Sequence, residues 1–167
     1  MTEKIYRSYL EIRSLGELKE VKNPSENYSV ELADPKDFQL NKFFYKTIGK
    51  NCQWIDRLIW TDLNWIDYIS NDRLFTFILK DESEIAGYFE LLFNKQSKEA
   101  EIAYFGILEE YYGKNLGGYL LSEAIKSSFN MGGERVWVHT CSLDHKNALK
   151  NYLARGMKNF KSETLIR

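Results

Sequence analysis

The spacing of apolar residues is most regular in the second half of the chain. Between residues 74 and 108, short apolar runs are separated by tight polar turns, which is typical of antiparallel strands. From residue 116, apolar positions recur every three or four residues, as on one face of a helix, until Gly132 and Gly133 end the pattern. The pattern predicts strands at 74–79, 85–92, 99–108, 135–140 and 157–163, and helices at 116–129 and 145–155.

The first part of the chain contains two further stretches with the alternation of a strand. They predict strands at 5–12 and 28–32, and we expect the first of them at an edge of the sheet. A polar, linker-like stretch at 22–27 lies between them. It divides the sequence into a strand-like N-terminal extension at 1–26 and a domain at 27–167.

Two helix starts are predicted in the first half of that domain. Asp34 is typical of an N-cap, and Pro35 is typical of a first helical position. A second helical region is predicted at 54–69, with Thr61 as a cap inside it. Strands followed by a β-α-β-α-β order indicate the α+β class with one mixed sheet.

Composition limits the classes of partner. The chain has 167 residues, of which 44% are apolar and 15% aromatic, so we expect one folded domain with a full core. Lysine and arginine (23) nearly balance aspartate and glutamate (24), for a formal net charge of −1. We therefore expect no general affinity for nucleic acid or for an anionic membrane. A polyanionic ligand would need a local binding device.

The two cysteines, Cys52 and Cys141, have no metal-ligand spacing. We therefore expect reduced thiols, no disulfide framework and no bound metal. No apolar run approaches transmembrane length, and the N-terminus does not resemble a signal peptide. The sequence predicts a cytoplasmic protein.

The stretch from Tyr111 to Leu121 is the most informative part of the chain. A glycine-bearing loop here joins a predicted strand to a predicted helix. The backbone N–H groups of such a loop and the positive end of the helix dipole form a nest that holds a pyrophosphate. The alternative is a simple strand-to-helix turn. The nucleotide P-loop pattern, Gly-x-x-x-x-Gly-Lys-Ser/Thr, is absent from the stretch.

Residues 112–117, Tyr-Gly-Lys-Asn-Leu-Gly, resemble the motif Gln/Arg-x-x-Gly-x-Gly/Ala of the GNAT superfamily of acyl-CoA-dependent N-acyltransferases. Tyr112 stands where Arg or Gln is usual and brings no charge. Asn115 stands where the middle Gly is usual. After glycine, asparagine is the residue type that best tolerates a positive φ, so the turn is expected to be kept. A second block, at 145–157, resembles the family's Asn-x-x-Ala-x-x-x-Tyr-x-x-x-Gly-Phe. Its matches in register are Ala148, Tyr152 and Gly156.

The two blocks identify the chain as a member of this family over roughly residues 28–163. The combination of Trp-Val-His-Thr-Cys at 137–141 with Asp-His at 144–145 and Asn-Tyr at 151–152 also resembles a bacterial subgroup of it. The resemblance implies a three-layer fold with helices on both faces of a central mixed, mostly antiparallel sheet. That sheet is splayed between the fourth and fifth core strands. The implied activity is direct transfer of an acetyl group from acetyl-CoA to a primary amine of a small molecule or peptide, without a metal. A non-catalytic acyl-CoA sensor of the same fold is the alternative.

The resemblance also implies where acyl-CoA binds. Backbone groups of Ile107 and Leu108 are expected to hold the pantetheine arm and the thioester. Gly106 suits a bulge or a close backbone approach there. The other implied cofactor-binding positions are Tyr112, Gly113, Lys114, Asn115, Leu116, Gly117, Gly118 and His145.

Three residues are candidates for proton transfer. Tyr152 is the predicted general acid, because a phenol near the sulfur can protonate a leaving thiolate; core packing is its alternative. Two glutamates are candidates for the general base. Glu101 occupies the strand position of the glutamate base in the family's histone acetyltransferases. Glu90 lies in the middle of an apolar strand, where a carboxylate is either paired or functional.

The acceptor amine is expected near Trp54, Arg57 and Trp60, since aromatic rings attract cations, although these residues also suit core packing. Trp54 and Arg57 share a helical face if their segment is helical. His139 is expected either to contact the acceptor or to be a core histidine whose nitrogens are hydrogen-bonded within the protein. Polyamines, aminoglycosides, amino acids, peptide N-termini and protein lysines all stay open as acceptors. A homodimer is a further option, because many family members form dimers.

Overall fold

The computed structural model describes residues 2–166, which form a seven-stranded sheet with helices on both faces. The strands are β1 (Lys4–Ile12), β2 (Tyr28–Leu32), β3 (Leu74–Asp81), β4 (Glu84–Asn94), β5 (Glu99–Ile107), β6 (Arg135–Cys141) and β7 (Lys158–Ile166). The helices are α1 (Phe38–Cys52), α2 (Asp62–Ile69), α3 (Leu116–Asn130) and α4 (Ala148–Ala154). Short 3-10 turns lie at Leu15–Glu17 and Glu109–Tyr111.

The sheet has the order β2-β3-β4-β5-β6-β1-β7. All neighbouring strands are antiparallel except β5 and β6, which are parallel. This parallel pair is short, extending only from Glu99–Arg135 to Glu101–Trp137. The predicted α+β class, with a mixed sheet splayed between the fourth and fifth core strands, is confirmed.

Alternation along the central strands gives the sheet a core on each face. Leu79 and Phe89 pack with α3 and α4 on one face, while their neighbours Ile78 and Tyr88 pack with α1 on the other. Helix α2 lies against α1, with Trp65 of α2 edge-on to the Tyr45 ring at 5.7 Å. Because the sheet is covered on both faces at its centre, β4 is almost continuously buried.

The N-terminal strand does not lie where the sequence pattern placed it. We expected an edge strand, but β1 pairs with β6 on one side and β7 on the other. Leu10 and Ile12 of β1 are buried in the core beside α3. Hydrophobic alternation reveals which face of a strand is buried and not which strands flank it, so the edge assignment was wrong. The division into segments 1–26 and 27–167 stays a prediction.

Helix α1 begins later than predicted. Asp34 and Pro35 precede the helix, because Ala33 N–H still pairs with the Thr76 carbonyl at the sheet edge. The cap is Asp37, whose side chain accepts a hydrogen bond from the backbone N–H of Gln39 at 3.0 Å.

The second helical region is shorter than predicted. Gln53 adopts a left-handed conformation that ends α1, and the segment 54–61 then forms turns instead of a helix. The helical face expected for Trp54 and Arg57 is therefore wrong. Thr61 is confirmed as the cap of α2, in a reciprocal pair of hydrogen bonds with Asn64.

Helix α4 begins at Ala148 and not at His145. The His145 ring nitrogen Nδ1 accepts a hydrogen bond from Asn147 N–H at 3.1 Å, which holds residues 145–147 in a turn. Gly156 follows the helix as predicted, with a φ of 102°.

Strand β5 has a bulge at Ala103, three residues before Gly106, where a bulge was one of the two predicted possibilities. Glu90 pairs with Tyr104 and the next residue, Leu91, pairs with Ile102, so Ala103 is the extra residue. Gly106 is in register instead. A Cβ atom there would lie 2.5 Å from Ile48 Cγ2, so Gly106 provides the close approach of α1 to the sheet.

Gly156 and Gly132 provide a matched test of backbone crowding, since both have a φ of 102°. A Cβ atom at Gly156 would overlap the carbonyl oxygen of Glu17, whereas one at Gly132 would meet nothing within 4 Å. We expect Gly132→Ala to cost about 1 kcal/mol or more from backbone strain alone. Gly156→Ala should cost roughly 1–3 kcal/mol beyond that. Urea unfolding of both variants measures the difference, and equal losses would contradict the crowding.

Candidate functional site

A groove of about 1230 Å³ opens where β5 and β6 diverge. Beyond Glu101 and Trp137 the described residues contain no further β5–β6 pairs, and the stretch 102–107 of β5 lines the groove. Thirteen of the predicted site residues line it: Trp54, Arg57, Glu101, Ile107, Tyr112, Gly113, Asn115, Leu116, Gly117, Gly118, His139, His145 and Tyr152. Four others are absent from its lining: Trp60, Glu90, Leu108 and Lys114.

The loop before α3 presents backbone amides to one end of the groove, which we call the loop end (residues 113–118). Gly113 and Asn115 have φ angles of 78° and 61°, so the positive φ expected of Asn115 is confirmed. Within residues 2–166, no N–H group of the loop end donates a hydrogen bond to a protein acceptor. Unpaired amides at a helix N-terminus are well suited to bind an anion such as a phosphate.

Side chains of the loop bring little charge into the groove. Lys114 Nζ lies 5.4 Å from the centre of the Tyr111 ring, and Lys114 does not line the groove. Tyr112 packs edge-on against the His145 ring, with a centre-to-centre distance of 5.1 Å. The loop end is therefore defined mainly by backbone groups.

Two residues of the α4 region, Asn151 and Arg155, contribute to the loop end and were not among the predicted site residues. Asn151 Nδ2 donates a hydrogen bond to the Gly117 carbonyl at 3.0 Å and so ties the loop to α4. Arg155 lines the groove one helical turn later. The available signal was their spacing, because residues four apart on a helix share a face.

Tyr152 lies on the same helix, is buried to 7% exposure and lines the groove. Its ring meets the ring of Phe105, on the splayed part of β5, edge-on at 6.3 Å. Burial, and to a smaller extent the Asp144 carboxylate, raises the pKa of the phenol well above its ordinary value. The phenol is therefore protonated near neutral pH and can donate a hydrogen bond or a proton.

Glu101 stands at the point where the sheet splits. It is the last residue of β5 that pairs with β6, and its side chain lines the groove. Partial burial raises the pKa of this carboxyl above that of an exposed glutamate. A carboxylate with a raised pKa is a stronger proton acceptor near neutral pH.

Glu90, the other candidate base, is fully buried and already paired. Its carboxylate accepts hydrogen bonds from Tyr68 Oη at 2.6 Å and from Asn41 Nδ2 at 2.8 Å. Arg57 Nη1 lies 3.4 Å from the same carboxylate and forms a buried ion pair with it. These contacts indicate a structural role for Glu90, and they favour Glu101 as the base.

Arg57 itself occupies the aromatic cluster that we expected to attract a cationic acceptor. Its guanidinium carbon lies 4.1 Å from the ring centres of Tyr68 and Tyr104, and 4.7 Å from that of Trp60. Two more rings lie within 6 Å of it, those of Tyr45 and Trp65. The cluster is therefore filled by a cation of the chain itself.

The remaining residues predicted to contact the acceptor amine lie in two places, the groove and a separate surface pocket. Trp54 lines the groove and packs edge-on against Tyr104 at 4.8 Å. Trp60 lines a separate, shallow pocket on the surface near α2. His139 is exposed on β6 and lines the groove, where desolvation and the Arg7 guanidinium lower the pKa of its imidazole.

Cys52 and Cys141 are free thiols, and both line the groove. Burial raises the pKa of the Cys52 thiol to about 11, so it is protonated and unreactive. Within residues 2–166, no three His, Cys, Asp or Glu side chains are grouped so that they could hold a metal ion. In the same part of the chain, no helix combines the length and the apolar character required to cross a membrane.

Comparison with known proteins gives a family and a fold. Residues 39–157 match the model of the acetyltransferase (GNAT) family. No protein of curated function matches the sequence significantly. A GCN5-related N-acetyltransferase from Sphaerobacter thermophilus superimposes with a TM-score of 0.73 at 15% identity, over 97% of this chain and 50% of its own.

Two further solved structures share the fold. For a GCN5-related N-acetyltransferase from Kribbella flavida the TM-score is 0.67 at 11% identity, over 99% of this chain and 58% of that one. The aminoglycoside acetyltransferase meta-AAC0020, from an uncultured soil metagenomic sample, has a TM-score of 0.64 at 15% identity, over 80% of this chain and 90% of that one. The chain thus spans about half the length of the first of these structures.

The ion pair of Glu90 and Arg57 can be tested by its effect on stability. Glu90→Gln keeps the shape of the side chain but leaves Arg57 as a buried cation without a counter-charge. We expect this change to lower the free energy of unfolding by roughly 3–5 kcal/mol. The control is Glu31→Gln, which removes an exposed ion pair with Lys80 and should cost less than about 1 kcal/mol. Similar losses in the two variants would contradict the structural role of Glu90.

Proposed function

The chain belongs to the GNAT acetyltransferase family, and from this premise we propose that it is an N-acetyltransferase. In this proposal it moves an acetyl group from acetyl-CoA to a primary amine of a small molecule or peptide by direct attack. The observation that carries the proposal is the row of unpaired amides from Gly113 to Gly118 at one end of a groove that also contains Tyr152 and Glu101.

The loop end fits the diphosphate of acetyl-CoA. Its amides converge at the N-terminus of the fifteen-residue helix α3, where the helix dipole favours negative charge. The splayed edge of β5 leaves backbone groups of Phe105, Gly106 and Ile107 free of a strand partner on the side of the groove. These groups suit the amide-containing arm of the same molecule. Acetyl-CoA supplies the activated acyl group as a thioester.

Tyr152 serves as the general acid in the proposed reaction. As the new carbon–nitrogen bond forms, the carbon–sulfur bond breaks and the departing thiolate needs a proton. The phenol hydrogen-bonds to the sulfur and supplies that proton. Its raised pKa keeps it protonated in the free protein, but also makes it a weaker acid than an exposed tyrosine. The resulting phenolate is reprotonated from solvent before the next turnover.

Glu101 serves as the general base. It takes a proton from the acceptor ammonium, directly or through a water molecule, so that the neutral amine can attack. Glu101 then releases this first proton to solvent. As the amide bond forms, the nitrogen loses a second proton, which the regenerated carboxylate accepts. The balance is one amine and one thioester consumed, with one amide and one thiol formed.

The acceptor is proposed to enter from the end of the groove lined by Trp54 and Arg57. The aromatic cluster around Arg57 is filled, so the amine is not placed there. Among the described residues, three carboxylates line the groove: Asp56, which is next to Arg57 in sequence, Glu101 and Asp144. A cationic amine therefore finds negative charge without cation–π contact to the cluster.

The proposed activity is tested by release of the CoA thiol from acetyl-CoA with a panel of amines. The panel should include polyamines, amino acids, peptides and aminoglycosides, the last because meta-AAC0020, which shares the fold, is an aminoglycoside acetyltransferase. We expect thiol release with at least one class, and a fall in kcat of about a hundredfold or more for Tyr152→Phe. CoA binding by that variant should be unchanged. If CoA binds but no amine yields thiol, the protein is an acyl-CoA sensor and the proposed reaction is wrong.

The role of Glu101 predicts a pH dependence. Since burial raises the pKa of this carboxyl, the base is lost as the pH falls through a value higher than that of an exposed glutamate. We expect Glu101→Gln to lower kcat/KM near neutral pH, and the ratio of wild type to variant to approach one at low pH. The ratio cancels the titration of the acceptor amine, which is common to both proteins. A ratio that does not change with pH would exclude Glu101 as the base.

A further inference from the structure

Arg155 lies directly against the first turn of α3. If Gly118 carried a Cβ atom, that atom would overlap Arg155 Nη1 and would lie 2.8 Å from Val21 Cγ2. The guanidinium therefore occupies the space beside the helix N-terminus that the absence of a side chain at Gly118 provides. Arg155 also lines the groove at its loop end.

This guanidinium has no counter-charge within the described residues 2–166. Its Nε is buried and has no hydrogen-bond partner. Desolvation lowers the pKa of Arg155, and no carboxylate offsets that effect. Arg57 provides the contrast, because its guanidinium has the carboxylate of Glu90 beside it.

The position of Arg155 beside the N-terminus of α3 is also electrostatically unfavourable. The N-terminus of α3 carries partial positive charge, and a cation beside it is repelled. The unpaired amides of the loop end add to the positive potential at the same place. Arg155 is also the C-cap of α4, where the helix dipole favours a cation, so the repulsion by α3 is offset in part. A bound anion would relieve the repulsion that remains.

The groove needs such a charge because the loop supplies none. Lys114 is the only basic residue of the stretch 112–118, and it does not line the groove. Arginine is well suited to the task, since its planar guanidinium donates two parallel hydrogen bonds to phosphate oxygens.

We propose that Arg155 binds a phosphate group of the acyl-CoA co-substrate at the N-terminus of α3. This inference rests on the proposed function and assigns to Arg155 the side-chain charge at the loop end. CoA carries phosphate in two places, the diphosphate bridge and the 3′-phosphate of the ribose. Both offer the same chemistry to a guanidinium, and the ligands of the test separate them.

The test compares the binding of CoA and of dephospho-CoA, which lacks the 3′-phosphate, by calorimetry. Arg155→Met keeps most of the side-chain stem and removes the charge, while Arg155→Lys keeps the charge. Arg73→Met is the matched control, because Arg73 is exposed and does not line the groove. We expect Arg155→Met to bind CoA about tenfold to a hundredfold more weakly, Arg155→Lys to lose less, and Arg73→Met to bind as the wild type does.

The two ligands show which phosphate is bound. A loss for both CoA and dephospho-CoA assigns Arg155 to the diphosphate, and a loss for CoA alone assigns it to the 3′-phosphate.

Wild-type affinity for CoA in Arg155→Met, or equal losses in Arg155→Met and Arg155→Lys, would overturn the inference and leave the proposed function standing. If wild-type protein binds neither ligand, the proposed function itself fails. The two failures are therefore distinguishable.

Discussion

The β5–β6 ladder stops after three residue pairs, from Glu99–Arg135 to Glu101–Trp137, and the rest of the structure is arranged around that interruption. Backbone groups left without a partner inside a protein are costly, so an open sheet must be held open by other contacts. On the α1 face, Ile48 presses against Gly106, where no side chain could be accommodated. On the other face, Phe105 meets Tyr152 of α4, and Asn151 ties the same helix to the α3 loop. The groove is thus a built feature of the sheet.

The two ends of the groove differ in whether their buried charges are paired. At the end lined by Trp54 and Arg57, which we call the α1–α2 end, Arg57 is enclosed by aromatic rings and paired with Glu90. Glu90 is hydrogen-bonded in turn to Tyr68 and Asn41. That arrangement is satisfied without a ligand, so it fixes the shape of the turns at 54–61. At the loop end, Arg155 and the neighbouring amides lack anionic partners within the described residues. The polar groups of one end are paired in the free protein, whereas the loop end has donors without acceptors among the described residues.

Local features were readable from the sequence, because local chemistry causes them. Asn115 was expected at positive φ since few other residues tolerate it, and Thr61 was expected as a cap since its hydroxyl can reach a free amide. The order of the strands could not be predicted from the sequence, and β1 lies one place in from the edge at which it was expected. The partners of Glu90 are 22 to 49 residues away in sequence, so its pairing followed only from the assembled fold. The contact of Arg155 with Gly118 depends on how α4 packs on α3, which periodicity does not specify.

The two ends of the groove also differ in how strongly they constrain sequence. An anion site made of backbone amides depends on φ and ψ angles, so Tyr112 and Asn115 can replace the usual residues of the motif and leave the amides in place. The α1–α2 end is made of side chains that contact one another, and a change in one of them alters the fit of the others. Under the proposed function, the choice of acceptor would therefore depend on the segment 54–61 and its partners, because the fold alone does not determine it.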